Sequence, residues 1–264
     1  MIGLAVLVAS GGVYLVVFSH PDEESTAESP PTGLARWSGA EANPALLAEA
    51  LSTERDAGVQ RALLERAAKR PGALALFRAA WDATSDNTVH ERLLVEAARL
   101  GIPGVAGWLA EIAASDDKLA VRAGNALGTI VDRRAAAELV TLATGDGSTL
   151  VRANAAKALG TAGSADQLPV LSRLLNDAGQ PLRVREEAAL SMGNLHDPSA
   201  TRDLVTALEA SRDASPGGEQ LRIALIRALE ALGTREAREA LQAYAAGKPS
   251  RTEAAFLQRA LARR

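Results

Sequence analysis

Apolar residues recur at spacings of three and four in most segments after residue 43, which is the period of a helix with one buried face. Each such segment, helix A, is followed by a polar turn and a second segment of the same kind, helix B. Clear examples are Val151, Ala155, Ala158 and Leu159 in a helix B, and Leu168, Leu171, Leu174 and Leu175 in the helix A of the following pair. The pattern predicts seven antiparallel pairs, at approximately 43–70, 72–100, 103–130, 132–160, 164–193, 197–232 and 234–264.

One phrase recurs inside these pairs: a polar turn, then Val-Arg, then Ala-Leu-Gly. It reads DGSTLVRANAAKALG at 146–160, DDKLAVRAGNALG at 116–128 and PLRVREEAALSMG at 181–193. The glycine that ends the phrase recurs along the chain, and we call these glycines the glycine ladder: Gly72, Gly101, Gly128, Gly160, Gly193 and Gly233. A period of about thirty residues indicates a solenoid, in which each helix pair buries its second apolar face against its neighbours.

The expected helix starts are also visible. Asn43-Pro44 and Asp197-Pro198 place a capping residue before a proline at the first helical position. Capping-box spacing occurs at Thr88…Glu91, Ser164…Gln167 and Ser250…Glu253. The turns carry Asp56, Asp86, Asp117, Asp146, Asp177 and Asp213.

The pattern resembles the HEAT family, and in particular short, alanine-rich bacterial HEAT-like repeats. The resemblance is carried by the turn Asp, by the Ala-x-Ala-Leu-Gly ending and by Val121-Arg122, Val151-Arg152, Val184-Arg185 and Leu221-Arg222. The first two pairs depart from it, since Gln60 and His90 hold the Arg position. The resemblance implies an all-α, right-handed α-solenoid whose B helices line a concave face. Armadillo-like packing is the nearest alternative, whereas tetratricopeptide repeats use aromatic positions that this chain lacks.

Arg122, Arg152, Arg185 and Arg222 are the candidate site residues, and two interpretations of them stay open. Arginines in the first turn of helix B can pair with neighbouring turn aspartates and form a structural ladder. Alternatively, they line the inner surface and bind an acidic segment of a partner. The ladder is the favoured interpretation.

The chain divides into a hydrophobic segment (1–18), an acidic Pro/Ser-rich tether (19–40) and the solenoid (41–264). Residues 2–18 carry no charge and have the length of a short membrane-spanning helix. A membrane anchor is favoured over a signal peptide cleaved after Ser19 or Ala27 and over a buried first helix. The acidic residues that follow favour an exit away from the cytoplasm. Because the Ala-, Arg-, Leu- and Gly-rich composition suggests a bacterium, the expected location is the bacterial cell envelope, with the solenoid outside the cytoplasm or secreted to the periplasm.

Charge and composition argue against several kinds of chemistry. Residues 1–40 hold four acidic residues and only Arg36, so the remaining chain has 28 acidic and 28 basic residues, without the basic surplus of a nucleic-acid binder. The absence of cysteine excludes disulfides and thiolate metal sites. Only His20, His90 and His196 are present, and no two of them have metal-ligand spacing.

The enzymes among HEAT-like proteins fit poorly. The deoxyhypusine hydroxylases hold iron with several His-Glu pairs, of which this chain has only His90-Glu91, and the HEAT-like DNA glycosylases need a basic cleft with aromatic residues. Trp81 and Trp108 fall on apolar helix faces, so packing is their expected role, and Trp37 is expected to cover the first helix pair. We therefore predict no catalytic, cofactor-binding or metal residues and no cofactor. The expected function is a non-enzymatic scaffold that binds a protein or peptide; the alternative is an enzyme or accessory of the bilin-lyase kind.

Overall fold

The computed structural model describes residues 3–9, 12–18, 33–115, 118–212 and 218–262. Two strands, β1 (Gly3–Ala9) and β2 (Gly12–Phe18), pair antiparallel, with Gly3 opposite Phe18 and Ala9 opposite Gly12. Their valine-rich composition favours strands, so the structure does not support the helical form expected for residues 2–18. Within the described ranges, no helix has both the length and the apolar character needed to cross a bilayer.

The residues just before the first helix pair are already folded. Two 3-10 turns, Leu34–Trp37 and Ala40–Ala42, pack on the first two α-helices, α1 (Pro44–Thr53) and α2 (Ala57–Ala68). The side chains of Leu34 and Trp37 are buried. The Trp37 Nε1 donates to Glu54 Oε2 at 2.9 Å. Trp37 therefore covers the first helix pair, as predicted, although the sequence assigns it to the tether. Residues 19–32 of that tether lie outside the described residues.

From Gly33 onward the described chain is helical, and it contains fourteen α-helices in seven pairs. The A helices are α1 (Pro44–Thr53), α3 (Ala73–Asp82), α5 (Val105–Ala113), α7 (Ala136–Thr144), α9 (Leu168–Asn176), α11 (Thr201–Ala210) and α13 (Arg235–Ala245). The B helices are α2 (Ala57–Ala68), α4 (Asn87–Leu100), α6 (Ala120–Leu127), α8 (Thr149–Ala162), α10 (Leu182–Asn194), α12 (Gly218–Leu232) and α14 (Arg251–Ala262). The predicted ranges contain these pairs to within two residues.

The pairs stack in one direction. The principal helix contacts join members of one pair or of adjacent pairs, such as α8 with α10 and α10 with α12. The buried side chains, mostly Leu and Ala, form one continuous core from Leu34 to Ala260. This arrangement confirms the predicted α-solenoid, because each pair completes its apolar surface with its neighbours.

Five members of the glycine ladder fall into two kinds, whereas Gly128 follows α6 with an ordinary φ of -68°. Gly72, Gly101 and Gly233 have φ values of 76°, 61° and 62°, which lie in the left-handed region that favours glycine. They end or precede helices, as the sequence predicts. By contrast, Gly160 and Gly193 are helical residues in the last turns of α8 and α10.

Gly160 and Gly193 allow consecutive B helices to approach closely. A methyl group at Gly160 would lie 2.8 Å from Ser191 Cα, and one at Gly193 would lie 2.6 Å from Ala228 Cα. The helices end within two residues of these glycines, as predicted, and both glycines are packing positions as well. The left-handed residue after α10 is His196, with φ 52°.

Most of the predicted caps are present. Asn43 caps α1, Asp197 caps a 3-10 turn, Ser164 and Gln167 form a capping box, and Ser250 and Glu253 bond reciprocally. The box predicted at Thr88…Glu91 is wrong, since Asp86 caps α4 by accepting from the Thr88 N–H at 2.8 Å. Asp117 and Asp213 lie outside the described residues.

Candidate interaction surface

Two members of the predicted arginine column, Arg185 and Arg222, lie near the start of their B helices and bond to the ends of the preceding A helices. Arg185 Nε donates to the Leu175 carbonyl at 2.8 Å, and Arg222 Nη1 donates to the Ser211 carbonyl at 3.1 Å. The last carbonyls of a helix have no partner within the helix. These arginines supply that partner and so tie the two helices of one pair together.

The two residues that replace arginine in this column do the same. Gln60 Nε2 donates to two carbonyls at the end of α1, at 2.9 and 2.8 Å. His90 Nε2 lies 3.0 Å from the carbonyls of both Trp81 and Thr84. These two carbonyls stand at the end of α3 as the partners of Gln60 stand at the end of α1. Gln60 and His90 therefore keep the contact of the arginine column although their chemistry differs.

Arg152 and Arg222 also reach the next helix pair. Arg152 Nη1 donates to Gln180 Oε1 at 3.0 Å, and Arg222 Nε donates to Glu253 Oε1 at 2.5 Å. The expected ladder used turn aspartates. Within the described residues, the hydrogen-bond partners of these arginines are Glu, Gln and main-chain carbonyls, and Asp177 interacts with Arg185 only through its charge.

Arg122 does not belong to this column. Val121, which the sequence aligns with the buried Val151, is 61% exposed, whereas Leu119 is buried in its place. The register of α6 is therefore shifted by two residues from the predicted one. Arg122 lies further along the exposed side of α6 and forms an ion pair with Glu91 at 3.1 Å.

The most buried ion pair among the described residues joins the last two helix pairs. The side chains of Arg222 and Glu253 are 12% and 3% exposed. Ser250 donates to Glu219 nearby. Burial raises the pKa of Tyr244, and the charge of Glu253 raises it further. This polar network fixes α12 against α14.

Trp81 and Trp108 pack together on the A-helix side. Their rings meet edge to face at 5.9 Å, and Trp81 also stacks on His90 at 3.9 Å. Trp108 is buried, and Trp81 is half-buried. Both contacts agree with the packing role predicted from their helical spacing.

A groove opens between the first two B helices, α2 and α4. It has a volume of about 380 Å³. Its walls are Ala57, Arg61, Leu64, Thr88, Glu91, Arg92, Val95 and Glu96. Val95 is 54% exposed, and it and Val121 are two of the three large apolar side chains that the described part of the solenoid leaves exposed. A groove with an aliphatic wall and several charges suits a peptide or an extended segment.

The groove contains both paired and unpaired charges. Glu91 is held by Arg122, and Glu96 is held by Arg99 at 2.6 Å. Arg61 and Arg92 line the groove as well, and neither has a hydrogen bond or ion pair within the described residues. The groove therefore presents two unpaired cations beside an exposed valine.

Possible metal ligands are spread apart. Among the residues that the structure describes, no group of three or more His, Asp or Glu side chains could hold a metal ion. His90 bonds to the end of α3, and His196 Nδ1 lies 3.1 Å from the Ala231 carbonyl. His20 lies outside the described residues.

Two repeat-family models match the chain: HEAT repeats over residues 105–183 and the PBS lyase HEAT-like repeat over residues 184–210. The chain carries HEAT-like repeats. Among solved structures, human deoxyhypusine hydroxylase in complex with glycerol is similar at 18% identity and a TM-score of 0.30, covering 84% of this chain and 96% of that one. A likeness at this level carries no inference about function. No curated protein matches the chain.

The groove lies before the matched HEAT-like repeats, in the pairs that depart most from the phrase. Sequence reasoning missed Arg61, Arg92 and Val95 because it followed the arginine column. One signal was present in the sequence. At helical spacing, Val95 shares a face with Glu91, Arg92 and Arg99 and not with the buried residues Leu93, Leu94 and Ala97.

Proposed function

We propose that this HEAT-like protein is a non-enzymatic scaffold that binds a protein or peptide through its B helices. The observation that carries the proposal is the groove between α2 and α4, where an exposed Val95 lies beside the unpaired Arg61 and Arg92. Concave surfaces that combine apolar walls with a few polar groups are the usual form of binding sites. The close approach at Gly160 and Gly193 supports placing the B helices on the inner, shorter arc of the stack.

Photo-cross-linking in cells tests this proposal. A photoreactive amino acid replaces Val95 or Arg227 on B helices, and Ala75 or Arg202 on A helices, one position at a time in the full chain. All four side chains are exposed. We expect a specific protein adduct from at least one B-helix position and none from the A helices. Adducts only from the A helices, or none at any position, would refute the proposal.

A location at the bacterial cell envelope is part of this proposal. It is supported by the uncharged segment 2–18 and by the acidic residues that follow it. Fractionation of cells that express the full chain, with the mass of the recovered protein, distinguishes a retained anchor from a cleaved signal. Recovery of intact protein in the soluble cytosolic fraction would exclude both.

A second candidate is an enzyme or enzyme accessory of the bilin-lyase kind. The match of residues 184–210 to the PBS lyase HEAT-like repeat favours it. Mixing the full chain with a linear tetrapyrrole and recording its visible spectrum tests this candidate. A saturable spectral shift supports it, and an unchanged spectrum at high protein concentration rejects it.

A further inference from the structure

We infer that the groove between α2 and α4 binds an acidic peptide segment that carries one aliphatic side chain. This inference rests on the proposed scaffold function and narrows it to one site and one partner chemistry. The volume of about 380 Å³ admits a few side chains of a peptide rather than a folded domain.

The acidic side chains of the groove do not oppose an acidic partner strongly. Glu91 is paired with Arg122 at 3.1 Å, and Glu96 is paired with Arg99 at 2.6 Å. Arg99 also holds Glu65 at 3.0 Å. Two arginines outside the groove walls, Arg99 and Arg122, therefore neutralise the carboxylates that line the groove or lie beside it.

Arg61 and Arg92 remain available to bind a carboxylate. Arg61 is exposed on α2 and Arg92 is half-buried on α4, and neither has a polar partner within the described residues. A half-buried cation is partly dehydrated, and a carboxylate partner would offset that loss. The planar guanidinium group binds a carboxylate through two parallel hydrogen bonds. The geometry thus favours Asp or Glu in the partner.

The aliphatic requirement comes from Val95. Val95 is 54% exposed, and Leu64, which is fully buried, closes the groove beneath it. A leucine or valine of the partner would cover this patch and remove it from water. The groove walls contain no aromatic side chain, so the stacking that binds single-stranded nucleic acid is missing. The chemistry therefore favours a protein segment over a nucleic acid.

Fluorescence anisotropy with three labelled peptides tests this inference on the full chain. The probe is a ten-residue peptide with a central leucine flanked by glutamates; the two comparison peptides replace the glutamates by lysine or the leucine by serine. We expect saturable binding of the probe, binding at least tenfold weaker for the lysine peptide, and binding at least threefold weaker for the serine peptide. A labelled oligothymidine serves as the nucleic-acid probe.

Matched variants locate the binding. The double substitution Arg61→Ala/Arg92→Ala should weaken probe binding at least tenfold while circular dichroism stays unchanged. The control Lys157→Ala/Arg227→Ala removes the same charge from exposed positions of α8 and α12 and should change binding less than twofold. Val95→Ser should weaken binding of the leucine probe but not of the serine peptide.

Three results would overturn the inference: no binding of the probe, equal losses in both double variants, or equal binding of oligothymidine. If the probe fails while B-helix cross-links persist, the scaffold function stands and only this partner chemistry is wrong. If the cross-links fail as well, the proposed function falls with it.

Discussion

The close contact between α10 and α12 can be tested with one methyl group. Gly193→Ala places a Cβ at 2.6 Å from Ala228 Cα and 2.8 Å from the Ala228 carbonyl oxygen. Carbon atoms in contact normally lie about 3.5–4.0 Å apart. Because the obstructing atoms belong to a helix backbone, no side chain can rotate away, and the two helices must separate by about 1 Å.

Two opposing terms set the size of the effect. Forcing an extra methyl group into a packed interface costs about 1–3 kcal/mol, whereas replacing glycine by alanine inside a helix gains about 1 kcal/mol. With rigid backbone on both sides, we expect the cost in the upper part of its range. The predicted net loss in the free energy of unfolding is about 1–2 kcal/mol, or about 2–8 °C in melting temperature for a chain of this size.

Gly107→Ala is the matched control. Gly107 also lies inside a helix, α5, but the atom nearest to its added Cβ is Glu138 Oε1 at 2.9 Å, the end of a flexible side chain. That carboxylate also accepts a hydrogen bond from the Gly107 N–H. Moving it weakens this bond, which offsets part of the free energy gained by replacing glycine with alanine in a helix. We expect a change in stability below about 0.5 kcal/mol.

Urea denaturation followed by circular dichroism measures both variants, and hydrogen exchange locates the change. Since each pair contacts only its neighbours in the principal packing, Gly193→Ala should lower amide protection in α10 and α12 and leave α2 and α4 unaffected. Equal stability of Gly193→Ala and the wild type would refute the assigned helix contact. So would a loss of protection spread evenly over the stack.

Arg222→Met should lower the free energy of unfolding by about 3–5 kcal/mol, because it leaves the Glu253 carboxylate buried without its cation. Urea denaturation should show part of this loss recovered when both residues become Met, since the double variant still lacks the bonds to the Ser211 carbonyl and the Ser250 N–H. An unchanged single variant would contradict the pairing. His90→Ala should lower the free energy of unfolding by about 1–2 kcal/mol, because it leaves carbonyls at the end of α3 unpaired. His90→Gln should lose less in thermal melts, because Gln60 makes the same hydrogen bonds one pair earlier, although the stack on Trp81 is lost. Equal losses in the two variants would exclude this capping role. A main-chain N–H of α4 lowers the pKa of Asp86, with a further contribution from a serine hydroxyl. Asp86 therefore contributes stability above its unfolded pKa of about 3.9, and this stability is lost as the pH falls through the lowered folded pKa. In melts between pH 7 and pH 2, the melting temperature of Asp86→Asn should fall less steeply with acid than that of the wild type. An identical fall in melting temperature would contradict this role of Asp86.

Helix periodicity and caps in the sequence predicted the seven pairs and their bounds. Both signals are local: a buried stripe repeats within one helix, and a cap such as Asn43 bonds to a main-chain N–H three residues on. The need to stack also followed from the sequence, since one pair has too little apolar surface to fold alone. These features required no knowledge of which pair contacts which.

Only the tertiary structure decided the roles of single residues, because those roles depend on contacts between pairs. Gly72 and Gly193 belong to the same ladder in the sequence, yet one has a positive φ and the other touches α12. Arg122 and Arg152 share one phrase, but a shift of two residues in α6 moves Arg122 onto the exposed side. The groove beside Val95 exists because α2 and α4 pack side by side, and residues about thirty positions apart meet there through packing that local patterns do not encode.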